Sequence, residues 1–400
     1  MSAEVGTADT DRGDKEMALK APEAKAAKKA RVPAKKAGGR RAAAKEATAP
    51  LNYCSAPPPS VVEFTPEVAA NPSRQRAIIA SAKKWMNKTV LHYAFFKTGP
   101  SKVPPEQAAV IRKAFQQWQD LPIGIQLTEV DSLHEAEIRV GFQLGDGSWS
   151  YIGRDILGIP VNERTMSFGW KLNQNAYGLT TAIHEIGHTL GMPHEHQNPF
   201  AGIVWNEEAV YSYLGGPPNN WPRETTFHNV LRKLNPAEVS GSNWDPDSIM
   251  EYQFPAGLIV QPAAYSNGIF PPGTLSPLDK TWATTWYPAT RGTRGAERGE
   301  SELRVNRAVT ADLDAGQQVD YVLRVDETRN YSVGTFGAAD TVLALFEEVD
   351  GEPRFLAGDD DSGTDRSAAI TYRLRPGRTY FVRMRLVYRG TRGTVTLMCW

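Results

Sequence analysis

Apolar positions recur in two different rhythms along this chain of 400 residues. Within residues 104–121, Val110, Ile111, Ala114, Phe115 and Trp118 fall at helical spacing, and Pro104 and Pro105 suit a first turn that needs no N–H donor. A long amphipathic helix is predicted there. Residues 90–96 before it, and 124–130, 137–142 and 149–152 after it, are short runs rich in β-branched and aromatic side chains. Gly, Asp or Pro bound them, so they read as strands. A second helix is predicted over about residues 177–191, and a third starts at Leu275-Ser276-Pro277 and runs toward Trp286. Ser276 is its N-cap and Pro277 its first helical residue. Beyond about residue 303 the rhythm shortens to two. Runs at 321–325, 341–346, 369–372, 380–384 and 394–397 are separated by turn-rich segments, which predicts a small β-sandwich. The fold class expected is α+β followed by an all-β module.

Composition refines these boundaries. Residues 20–46 are nearly all Ala, Lys, Arg and Gly and cannot bury enough apolar surface to offset the entropy of ordering. The expected organisation is a disordered tail over 1–50, a first domain over 51–290, a linker rich in Gly, Arg and Thr over 291–302, and a β-sandwich over 303–400. Without interleaved aromatics or a recognition helix, the basic tail is read as a solvated or removable segment, and no specific nucleic-acid partner is expected. The whole chain balances 45 basic against 45 acidic residues, which excludes a strong overall field. No run of about 18 apolar residues appears, so no membrane span is predicted.

The chemistry is concentrated in thirteen residues, HEIGHTLGMPHEH, from His184 to His196. His184 and His188 lie one helical turn apart on one face, where two neutral imidazoles can hold a Zn²⁺ ion at about 2.0–2.1 Å. Gly191 lets the backbone leave the helix through a conformation closed to residues with a Cβ, so that His194 can return as third ligand. Three protein ligands leave one coordination position open, the mark of a catalytic zinc. Glu185 stands beside the metal as the candidate general base for a metal-activated water. The five fixed positions of HExxHxxGxxH should recur by accident only about once in 10⁵ chains of this length.

Downstream stands Asp247-Ser248-Ile249-Met250-Glu251-Tyr252. Together with the zinc helix, this string resembles the metzincin metallopeptidases, whose Met-turn places a methionine beneath the three histidines. Met250 is the candidate. The resemblance implies a mixed twisted sheet, and GSWSYIG near Gly147 and TMSFGW near Thr165 resemble its sheet segments. In the astacin and serralysin branches a tyrosine two residues after the methionine ligates zinc or stabilises the transition state, which assigns Tyr252 a catalytic role. Glu195 directly after the third histidine narrows the likeness to astacins. The absence of cysteines between Cys54 and Cys399, and the Gln197-Asn198-Pro199 continuation, depart from the usual astacin pattern. The expected protein is therefore an astacin-like zinc endopeptidase acting on a polypeptide, which an edge strand of the sheet would hold by strand addition.

Further expectations concern specificity, latency and setting. Phe254, Leu258, Ile259 and Val260 either line a hydrophobic substrate pocket or pack into the core. Cys54 either bridges to Cys399 or, lying upstream of the catalytic domain, ligates zinc as a thiolate and keeps a zymogen latent, as in matrixins, whose surrounding motif is absent here. The C-terminal strands, with Asp340 and the Asp359-Asp360-Asp361 turn, resemble the bacterial pre-peptidase C-terminal domain. Asp340, Asp359, Asp360 and Asp361 offer oxygen ligands to Ca²⁺, or form a solvated acidic turn. The first thirty residues hold no apolar run of seven or more, at odds with a secretory signal. Secretion is nonetheless expected from the family resemblance, with a cytoplasmic enzyme as the alternative. A zinc-containing but inactive protein that binds polypeptide or glycan is the alternative function. Nothing in the sequence sets the oligomeric state.

Overall fold

Hydrophobic strand β1 (Val90–Phe95), buried along its whole length, is the spine of the first part of the chain. A computed structural model describes residues 52–58, 83–234, 244–289, 301–314, 316–360, 367–387 and 392–400. The predicted tail, residues 291–300 of the expected linker and Asp361 lie outside them; Ser301 and Glu302 of that linker instead begin a strand. After β1 come helix α1 (Pro105–Gln119), strands β2 (Gln126–Glu129), β3 (Ile138–Phe142), β4 (Trp149–Ser150) and β5 (Met166–Phe168), and helix α2 (Ala176–Thr189). The sheet runs β2-β1-β3-β5-β4. Its pairs are parallel except for β4, which lies antiparallel to β5 at one edge.

Helix α1 forms where its apolar spacing predicts, with Pro at its first positions. It buries Ile111, Ala114, Phe115 and Trp118 against Leu91, Ile138, Val140, Met166, Phe168 and the inward face of α2. The Trp118 ring is fully buried, and its Nε1–H donates to the Ile183 carbonyl at 2.9 Å, so the largest core side chain leaves no stranded donor.

After α2 come β6 (Val204–Trp205), α3 (Glu207–Gly215), α4 (Arg223–Thr226), β7 (Phe254–Pro255), β8 (Ile259–Gln261) and β9 (Gly268–Ile269). Strands β6 and β8, and β7 and β9, form two short antiparallel ribbons. They enclose a separate apolar cluster that includes Val210, Leu214, Val230, Tyr252, Phe254 and Ile259, and also Tyr53 from far upstream. Helix α5 (Pro277–Trp286) then closes this part of the chain, capped as predicted: the Ser276 hydroxyl accepts from the Leu278 and Asp279 N–H groups, and Asp279 reaches back to the Ser276 N–H.

The C-terminal strands form the expected β-sandwich. Strands β10 (Ser301–Leu303), β12 (Gln318–Leu323), β14 (Thr341–Val349), β15 (Glu352–Asp359) and β17 (Tyr380–Leu386) make one sheet in the order β10-β12-β17-β14-β15. The other sheet runs β11 (Val309–Leu313), β18 (Gly393–Cys399), β13 (Arg329–Phe336), β16 (Ala369–Leu374). Leu323, Leu343, Leu345, Val382, Met384, Val395 and Leu397 interdigitate between the sheets. Alternation alone does not reveal β13 or β15. The first is written RNYSVGTF, and the second carries Pro353, which its place at the sheet edge accommodates. The sandwich packs against the segment before β1: the Phe355 ring meets Trp85 edge-on at 6.1 Å, and Arg383 bridges Asp320 and the Asn87 carbonyl.

Ser276→Ala removes the acceptor that caps α5. Its unfolding free energy in urea should fall by about 1 kcal/mol; an unchanged midpoint and slope would show that the cap contributes nothing.

Candidate active site

Helix α2 begins at an Asn175 N-cap, whose side chain accepts from the Tyr177 N–H, and carries His184, Glu185 and His188 on its buried side. It stops after Thr189. Gly191 adopts φ +90°, and a Cβ there would come within 3.0 Å of the Lys83 carbonyl oxygen, so both backbone conformation and close approach require glycine. The turn brings His194 back beside the helix. The ring centroids of His184 and His188 are 4.7 Å apart, those of His188 and His194 4.7 Å, and those of His184 and His194 5.4 Å.

The His184 and His188 rings are oriented through the nitrogen facing away from the centre. His184 Nδ1 lies 2.8 Å from the Ile249 carbonyl oxygen and His188 Nδ1 2.7 Å from that of Met192, so each Nδ1 carries the proton and donates it. The Nε2 atoms are thereby left as bare lone pairs. His184 Nε2 is buried with no hydrogen-bond partner, and His188 Nε2 lies 3.1 Å from His194 Nε2. Burial pushes the His184 pKa down to about 4 and those of His188 and His194 well below the usual range. Neutral rings converging acceptor on acceptor gain nothing from one another. A cation at their common focus satisfies all three, so the residues fit zinc.

Sequence reasoning did not foresee the groups that hold these rings. A side-chain hydrogen bond joins His194 to Gln197, whose amide nitrogen is tied to the carbonyls of His228 and Arg232. The Met-turn is anchored by Asp279 from the start of α5, which accepts from the Ser248 hydroxyl at 2.6 Å and the Ile249 N–H at 2.8 Å. The capping pattern Ser276-Pro-Leu-Asp was the signal available for Asp279, but not for its long-range contacts. Met250 packs against α2 at Gly187, where an added Cβ would run into its sulfur. The Met250 carbonyl also accepts from the Glu195 N–H at 3.0 Å, tying the third-histidine loop to the Met-turn.

Glu185 is fully buried, and desolvation raises its pKa to about 8, with its hydrogen bond to Cys54 as the opposing influence. Tyr252 places its hydroxyl 2.8 Å from His194 Nε2 and donates to the Cys54 carbonyl oxygen at 2.6 Å. The Cys54 thiol lies 3.4 Å from Glu185 Oε2 and 3.5 Å from His188 Nε2. Among the described residues, Cys54, His184, His188 and His194 form the one group of three or more His, Cys, Asp or Glu residues gathered to hold an ion, with all four ligand atoms within 4.8 Å of one another. His196, next in the histidine-rich run, faces away, with Nε2 2.8 Å from the Asn229 carbonyl oxygen.

Residues 52–56 thus lie in the cleft as a strap. Cys54 pairs with Ser148 in a parallel bridge beside β4, and the Ser55 N–H donates to the Ser148 carbonyl at 2.9 Å. The edge strand of the cleft, not identifiable from sequence, is therefore β4. Beside the strap opens a pocket of about 210 Å³, whose walls include Tyr177, Thr181, Ile249, Gln253, Pro272 and Gly273.

Of the readings left open by the sequence, one is overturned, one is decided and one finds no support. Cys54 and Cys399 are both free thiols, each buried in its own cluster, so no bridge joins them. Phe254, Leu258 and Ile259 pack in the core while Val260 faces outward, and none lines the cleft pocket. Among the described residues, Asp340, Asp359 and Asp360 do not gather into an ion-holding group; Asp359 accepts from the Ala369 N–H at 2.8 Å, and calcium has no support.

The family model described as Astacin, a peptidase family, matches residues 77–207. A solved structure of myroilysin is 32% identical over 53% of this chain and 98% of that one, with a TM-score of 0.47. The chain belongs to the astacin-like metzincins. Among curated relatives of this metzincin, Protein SpAN of Strongylocentrotus purpuratus is 26% identical over 35% of this chain and 21% of its own length. Serralysin of Photorhabdus luminescens is 30% identical over 26% of this chain and 25% of its own length. The metzincin thus spans about a quarter of the length of the curated relatives it matches.

The approach of the Met-turn to α2 depends on Gly187. Gly187→Ala should lower stability by about 1–3 kcal/mol through overpacking, read as a drop in thermal midpoint; a midpoint equal to that of the parent would show that Met250 yields without strain.

Proposed function

We propose that this chain is a secreted zinc-dependent endopeptidase, held latent by residues 52–56 across its cleft. The observation that carries the reading is the meeting of three imidazole rings with one thiol beside a buried carboxyl group. His184, His188 and His194 would hold the zinc, with Cys54 as fourth ligand in the latent form. A thiol so deeply buried ionises only against a cation, and burial does raise its pKa well above the usual value.

Zinc bound there supplies a Lewis acid that polarises a peptide carbonyl and eases deprotonation of water. The remaining work falls to the chain. When the strap leaves, Glu185 loses its thiol neighbour and faces the space opened beside it. Its carboxylate takes a proton from the attacking water and returns it to the leaving amine. Tyr252 already donates to a main-chain carbonyl in the cleft, that of Cys54, so the same hydroxyl is placed to steady the oxygen of a scissile peptide. The vacated edge of β4 offers N–H and C=O groups to an extended polypeptide. Secretion suits a broad endopeptidase, and a latent form protects the cell that makes it. No helix among the described residues is long and apolar enough to cross a membrane.

With casein as substrate and zinc-loaded full-length protein, Cys54→Ser should cleave at least about tenfold faster than the parent, whose thiol blocks the open position. Adding Glu185→Gln should cut that activity by about 10²-fold or more, and a chelator should abolish it reversibly. Equal cleavage by the Glu185 variant would overturn the assigned base, and unchanged activity in Cys54→Ser would overturn latency through the thiol.

A further inference from the structure

Thiol ligation needs only Cys54, yet the most buried side chain of the strap belongs to its neighbour. Tyr53 is 2% exposed. Its ring is enclosed by Tyr213 on α3 at 6.1 Å, Trp221 at 6.3 Å, Tyr252 at 5.1 Å and Phe254 at 6.0 Å, the last nearly parallel to it. Polar groups fit as closely: the Tyr53 hydroxyl donates to the Gln253 carbonyl at 2.5 Å, and its backbone N–H donates to Asn219 Oδ1 at 2.9 Å. Four aromatic walls with one carbonyl acceptor at the far end match a phenol in shape and chemistry. This hole adjoins the open cleft pocket: Tyr252 and Gln253 border both, whereas Tyr213, Trp221 and Phe254 are not among the pocket walls.

Departure of the strap would empty that hole and leave its apolar walls facing water. It lies one residue from Cys54, whose carbonyl Tyr252 binds and whose thiol points at the histidines. A polypeptide lying along β4 in place of the strap therefore brings side chains past its mouth next to the reacting bond. We propose that this hole is a substrate subsite for large aromatic side chains, filled in the latent chain by the protein's own Tyr53. The proposal rests on the latency reading above. It makes the strap a mimic of substrate as well as a source of a metal ligand.

Two measurements on the zinc-loaded full-length chain test it. In Tyr53→Ala, and in Tyr53→Leu as a second variant, millimolar p-cresol should raise the thermal midpoint, whereas the parent, with the hole filled, should not respond. Absence of a shift in both variants overturns the subsite. In Cys54→Ser with Tyr53→Ala, cleavage of a peptide library should enrich Tyr, Phe or Trp at least about tenfold over Ala at one position within two residues of the cut. Adding Trp221→Ala should raise KM for those aromatic peptides. Cleavage without aromatic enrichment overturns the subsite while leaving the peptidase reading intact. If the Cys54→Ser chain cleaves nothing, the latency reading fails, and the p-cresol response alone decides whether the hole accepts an aromatic ring.

Discussion

Three imidazole Nε2 lone pairs aimed at one point inside the protein are the constraint on which the rest of the structure depends. Such an arrangement is costly without a cation: the nitrogens forfeit their hydrogen bonds to water and gain nothing from one another, and His184 Nε2 is left with no partner. The chain commits heavily to it all the same. Carbonyls of Ile249 and Met192 set the tautomers of two rings, Gln197 engages the third, and Asp279 fixes the Met-turn that supplies one of those carbonyls. The twisted sheet and α1 are the scaffold against which α2 is held, and Trp118 donates directly into the backbone of α2.

In the proposed reading, the strap makes this site a regulated one. A single short segment meets the site in three ways: Cys54 offers sulfur to the histidine cluster, its carbonyl occupies the Tyr252 hydroxyl, and its backbone pairs beside the edge strand. Tyr53 adds an anchor in a different cluster, so the strap is held by packing as well as by its thiol. Loss of the thiol frees the position it blocks while the Tyr53 anchor still tethers the strap, so full activation calls for removal of the whole segment.

Much of this was legible in the sequence because the histidines act locally. His184 and His188 share a helix face, and His194 follows after one glycine-permitted turn, so spacing alone encodes their convergence. Met250 and Tyr252 were legible through the string around them. What was hidden depends on contacts between distant parts of the chain. Cys54 lies 131 residues from Glu185, and nothing local announces that it pairs beside Ser148. The support from Gln197 and Asp279 is hidden for the same reason. Apolar residues after the Met-turn were ambiguous because a core and a pocket wall have the same composition; Phe254 is buried against the Tyr53 ring of the strap. In the sandwich, buried central strands alternate clearly, whereas edge strand β15 is half exposed and carries a proline.

The central claim is that one ion is shared by these nitrogens and the strap's sulfur. Zinc K-edge X-ray absorption on the intact chain addresses it without reliance on turnover. The account predicts about one equivalent of zinc, with a nitrogen shell at about 2.0–2.1 Å and a single sulfur at about 2.3 Å, the sulfur vanishing in Cys54→Ser. Zinc coordinated by nitrogen and oxygen alone in the parent, or protein that takes up no zinc, would contradict it.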